Sequence, residues 1–127
     1  MTYNLEIRKK HQYMHATVTG ENSAENVKRY LEEILQRCID AKCPYLLIEE
    51  RLDGPRLGTY KVFEIASEGS LESHGFFRAI AYVDLNADGD LMQFAEAVAV
   101  NRGMPVNVFS TVGEAEKWLL KKQLSCA

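Results

Sequence analysis

The chain has 127 residues, 46% of them apolar and 26% charged. That is the balance of one soluble domain, long enough to bury about two thirds of its unfolded surface without a metal or disulfide staple. A net charge of −3 argues against nucleic acid or an anionic membrane surface as the main partner. No apolar run approaches the ~20 residues of a bilayer span, so no stable membrane insertion is expected. Residues 1–6 lack the basic-then-apolar pattern of a signal peptide. Cys38, Cys43 and Cys126 follow no zinc or redox spacing and read as free thiols of a reducing compartment, which places the protein in the cytoplasm.

Residues 3–8 alternate, with Tyr3, Leu5 and Ile7 against Asn4, Glu6 and Arg8. Residues 13–19 alternate again, with Met14, Ala16 and Val18 on one side. Two period-two runs across a short polar link predict an antiparallel hairpin ended by Gly20. Val27, Tyr30, Leu31, Ile34, Leu35, Cys38 and Ile39 then form one helical stripe, with charged residues opposite. Asn22 or Ser23 can cap that helix, and Pro44 stops it.

Residues 45–48 are a continuous apolar run, read as a strand covered on both faces. Residues 49–58 read as a polar loop, and 59–67 as a short helix carrying Tyr60 and Phe63. Residues 77–83 form the next buried strand, 84–90 an acidic turn, and 91–102 a helix. Gly103 suits the position after that helix, and Pro105 restarts an extended chain. Val106–Phe109 is a short strand. Thr111 with Glu114 makes a capping box for a last helix that packs Ala115, Trp118 and Leu119. Trp118 is expected in one core with Ile34, Leu47, Ile80 and Val98. The order is β-β-α-β-α-β-α-β-α: one α/β domain over 1–127, a mixed sheet of about five strands with four helices and an antiparallel first strand at its edge.

Five segments carry a family likeness: Leu46-Leu47-Ile48-Glu49-Glu50, Leu57-Gly58-Thr59-Tyr60, Ala81-Tyr82-Val83-Asp84, the helix from Phe94 to Gly103 leading to Val108-Phe109, and Glu114 to Leu119. With their order they resemble the STAS domain of anti-sigma-factor antagonists, and more closely its SpoIIAA-like branch of small bacterial proteins. In the antagonists a serine at the start of the second helix is phosphorylated by a partner kinase. The matching segment here, Leu52-Asp53-Gly54-Pro55-Arg56-Leu57-Gly58-Thr59, has no serine, and Thr59 is the hydroxyl at that place. The resemblance also extends to CRAL-TRIO domains, which implies an apolar-ligand pocket.

In open α/β sheets, ligands and partners meet the loops that leave the carboxyl ends of parallel strands. Those loops, 49–59 and 84–90, feed helix N-termini with free N–H groups. The residues expected to meet a ligand or partner are therefore Asp53, Arg56, Thr59, Tyr60 and Asp88. Glu49, Glu50 and Asp53 could form a carboxylate cluster for acid–base work, although charges at a strand end more often mark a solvated loop entry. His11, His15 and His74 assemble no metal or nucleophile pair and read as surface residues. No catalytic residue, metal site or cofactor is expected. The chain reads as a non-enzymatic regulatory module for a protein partner, with a small apolar-ligand or lipid carrier as the alternative and a homodimer left open.

Asp84-Leu85-Asn86-Ala87-Asp88-Gly89-Asp90-Leu91 matches the first eight positions of a calcium loop, but position 12, which should be a bidentate acid, is Ala95. Without those two oxygens, calorimetric titration with calcium should show no binding tighter than about millimolar. Micromolar affinity would make Asp84, Asn86 and Asp88 a site.

Overall fold

The structure, a computed structural model, describes residues 3–10, 12–21, 23–53, 75–84 and 90–126. Its five strands are β1 (Tyr3–Lys9), β2 (Met14–Glu21), β3 (Tyr45–Asp53), β4 (Ala79–Asp84) and β5 (Val106–Phe109). They lie in sequence order in one sheet. β1 pairs antiparallel with β2, and the other pairings are parallel. The described helices are α1 (Ala24–Asp40), α2 (Asp90–Asn101) and α3 (Val112–Cys126). The helix expected over 59–67 falls outside the described residues.

Strand alternation sorts the core into two layers. One holds Ala16, Val18, Leu46, Ile48 and Ile80 against Tyr30, Ile34 and Cys38 of α1. The other holds Leu47, Ala79, Ala81 and Val83 against Ala115 and Leu119 of α3. α2 packs against β5, where Glu96 accepts a hydrogen bond from the Val108 N–H at 2.6 Å. The single core expected around Trp118 is therefore two. Ile34 and Ile80 lie across the sheet from Leu47, and Trp118 is partly exposed, in tilted contact with Phe109 and with the Lys122 ammonium over its ring. Ile39, placed in the α1 stripe by its spacing, is 40% exposed, on the flank it shares with the partly buried Leu31 and Leu35 and not on the fully buried line of Tyr30, Ile34 and Cys38.

The caps follow the sequence. The Ser23 hydroxyl accepts from the Asn26 N–H at 3.2 Å, and Thr111 accepts from the Glu114 N–H at 3.3 Å. α1 and α2 end in the same way. Cys43 N–H reaches Cys38 O and Lys42 N–H reaches Ile39 O, while Met104 N–H reaches Ala99 O and Gly103 N–H reaches Val100 O. This paired closure needs a left-handed residue. Gly103 (φ 86) supplies it without strain, and Lys42 (φ 54) does so despite its Cβ. Gly20 does not end the hairpin. It continues β2 at φ 128, between Tyr3 and Leu52.

Leu119 is fully buried and Leu124 is 79% exposed on the same helix. Leu119→Ala should cost about 2–5 kcal/mol in urea melts. Leu124→Ala should stay within about 0.5 kcal/mol of the parent.

Candidate functional site

Residues 49–53, expected to be a loop, instead extend β3, so Glu49 and Glu50 sit in a central strand between β2 and β4. Neighbouring strands satisfy their backbone groups. Their side chains leave on opposite faces, so the two adjacent carboxylates never meet each other. Each therefore needs its own partners, because an unpaired buried carboxylate is costly. The structure supplies two separate sets.

On the α1 face, Glu50 stands beside Asp84, its register partner on β4, and the two share a side-chain hydrogen bond. The hydroxyls of Tyr30 from α1 and Tyr82 from β4 both donate to Glu50 Oε2, and the two phenol oxygens lie 3.5 Å apart. Tyr30 is fully buried and Asp84 is 7% exposed. Burial and then its bond to Asp84, against the lowering effect of the two phenol donors, raise the Glu50 carboxyl to about 7. Burial and the Glu50 charge hold both tyrosines well above the usual phenol range, so they remain donors. The result is a carboxylic acid that exchanges its proton near neutrality and is flanked by two fixed O–H groups. Such a group can take or give a proton, or accept a hydrogen-bond donor from a bound molecule.

On the opposite face, Glu49 is 8% exposed. It meets His15 Nε2 at 3.2 Å and accepts from Arg51 Nε at 2.6 Å. His15 is thus not the surface residue its place in the hairpin implied. Its side chain is only 14% exposed. Tyr13, also on this face, donates to Glu116 of α3, and burial together with that bond pushes its phenol up to about 12. The thiols of Cys38 and Cys43 are free and buried. Burial, then the neighbouring Cys43, raises Cys38 to about 12, which suits an inert packing role.

Of the residues expected at the site, Arg56, Thr59, Tyr60 and Asp88 lie outside the described residues. Asp53 is the last residue of β3, and its side chain is outside them too. The proposed Glu49–Glu50–Asp53 cluster does not form between its first two members, because consecutive strand residues face opposite ways. The partner that sequence reasoning missed for Glu50 is Asp84, thirty-four positions on. One signal was readable: both acids follow apolar runs, Leu46-Leu47-Ile48 and Ala79-Ile80-Ala81-Tyr82-Val83, each read as a buried strand.

Both acids stand where β3 and β4 give way to residues 54–78 and 85–89, the carboxyl edge at which open α/β sheets carry their sites. No family model and no curated protein sequence matches the chain. Among solved structures it is similar to an uncharacterized protein from Shewanella loihica PV-4, of the DUF3478 family and with a SpoIIAA-like fold. The two are 20% identical, the match covers 92% of this chain and 93% of the other, and the TM-score is 0.58. The fold is SpoIIAA-like. At this identity the likeness settles the architecture and carries no activity. Among the described residues no helix is long and apolar enough to cross a membrane.

The raised Glu50 carboxyl fixes a pH dependence. The folded chain holds a proton that the unfolded chain releases near the ordinary value of 4.5, so this group's contribution is complete below that value and is lost as pH rises through about 7. Urea melts should show wild-type stability falling relative to Glu50→Gln over that window, by at most about 1.4 kcal/mol per pH unit. Above it the difference should level off, with the variant the more stable. A constant difference would place Glu50 in water.

Proposed function

We propose that the chain is a non-enzymatic regulatory module that binds a protein partner along α2 and the adjoining carboxyl edge of the sheet. The observation that carries this reading is the outer face of α2. Its inward residues Val98 and Ala99 are buried, as a surface helix requires. Its outward residues Gln93, Ala97 and Val100 recur at i, i+4 and i+7 and carry no charge, and Val100 is 49% exposed. Phe94, on the flank, is 36% exposed. The helix has two acids, Asp90 at its first position and Glu96, which is engaged with β5.

α1 gives the contrast. Its outward residues are Arg29, Glu32, Glu33, Gln36, Arg37 and Asp40, the charged face of a helix that meets water. A surface helix whose outer side carries no charge and exposes Val100 suits an interaction face. α2 begins at Asp90, shortly after β4 ends at Asp84, so it adjoins the edge to which the STAS resemblance directs a partner. The Glu50–Asp84 floor at the same edge is made of hydrogen-bonding groups, which suits a polar contact better than the apolar ligand of a lipid carrier.

Affinity capture from source-cell lysate with wild-type and Val100→Glu baits tests the reading. A carboxylate placed in a desolvated interface should reduce recovery of a partner at least roughly tenfold, with unchanged circular dichroism. The same proteins recovered equally on both baits would remove α2 as the docking face.

A further inference from the structure

We propose that β1 is a self-pairing edge: two copies of the chain join antiparallel through Leu5 to Lys9, making one continuous ten-stranded sheet. Among the described residues no strand lies beyond β1. Its burial alternates, with Leu5 and Ile7 only partly covered and Glu6, Arg8 and Lys9 exposed. An uncovered edge of this length is a template for another strand.

The hydrogen-bond phase of the hairpin shows which groups point outward. Lys10 N–H donates to Tyr13 O at 2.8 Å, which makes that pair a hydrogen-bonded one. Such pairs alternate along an antiparallel ladder. With Arg8 opposite His15 and Glu6 opposite Thr17, Arg8 and Glu6 spend their backbone groups on β2. Leu5, Ile7 and Lys9 therefore turn theirs outward.

A second copy of β1 must match outward groups with outward groups, which leaves only registers that place like-facing residues opposite each other. Charge then separates these registers. Centring the two-fold on Glu6 sets Glu6 against Glu6, and centring it on Arg8 sets Arg8 against Arg8. Centring it on Ile7 places Glu6 of each copy opposite Arg8 of the other, twice, at the closely spaced non-hydrogen-bonded positions. Ile7 then meets Ile7 on the apolar side, and the Lys9 stem lies over Leu5. Within one chain Arg8 Nε already donates to Glu6 at 2.6 Å across this face, so pairing joins two such bridges into a four-member network.

Sedimentation equilibrium on the full chain tests this, with circular dichroism as the control for folding. Wild type should approach the mass of two chains as concentration rises. Glu6→Arg and Arg8→Glu each turn both cross-strand pairs repulsive and should weaken the dimer roughly tenfold or more. The equimolar mixture of those two variants restores unlike pairs throughout, and should regain the dimer as a heterodimer. A wild type that keeps the mass of one chain up to millimolar concentration overturns the proposal, and assigns Arg8 and Lys9 the role of guards against pairing. A dimer indifferent to both charge variants but broken by Val100→Glu also overturns it, by moving the contact to α2.

Discussion

Two consecutive carboxylates in the middle strand of a mostly parallel sheet impose the constraint around which this molecule is arranged. Strand geometry sends Glu49 and Glu50 to opposite faces, and a helix layer covers part of each face. Neither acid is left to bulk water, so each layer brings its own polar groups to the sheet. Tyr30 reaches down from α1 and Tyr82 and Asp84 come from β4 on one side, while His15 comes from β2 and Arg51 from β3 itself on the other. The apolar parts of both layers then pack around these polar centres.

The two solutions differ in kind. Around Glu49 the compensation is ionic, with an exposed guanidinium closing the site at the sheet surface. Around Glu50 the described partners are two phenols and a second carboxyl, and burial moves its titration up to about 7. A group held this way responds to its surroundings near neutral pH, whereas the ion-paired one is fixed in place. The responsive group lies at the carboxyl edge, beside the start of α2 and its charge-free outer face. The uncharged outer face of α2 begins near that edge and runs back toward the start of β5. α1, by contrast, carries charged residues along its outer side.

Much of this was legible from residue order. Period-two alternation gave the hairpin, period-3.6 recurrence gave α1, and local side-chain chemistry gave the caps at Ser23 and Thr111 and the stop at Gly103. These features depend on contacts within a few residues, where sequence spacing and spatial spacing agree. The reading failed where charge was taken as a sign of solvent. Glu49, Glu50 and Arg51 looked like a loop because three charged residues in a row are rare in a central strand. Only partners from α1, β2 and β4, dozens of positions away, make that strand tolerable. His15 was misplaced for the same reason, since its neighbour Glu49 is thirty-four residues distant.

The sequence by itself determined the class of fold and the ends of most elements, because each follows from local periodicity, capping chemistry and the short connections between elements. Tertiary structure alone decided which acids pair, which proton is retained, that the core is two layers rather than one, and that α2 keeps an uncharged face outward while α1 does not. Those outcomes depend on burial and on the low dielectric that burial creates. Burial is a property of the assembled layers, and no window of sequence contains it.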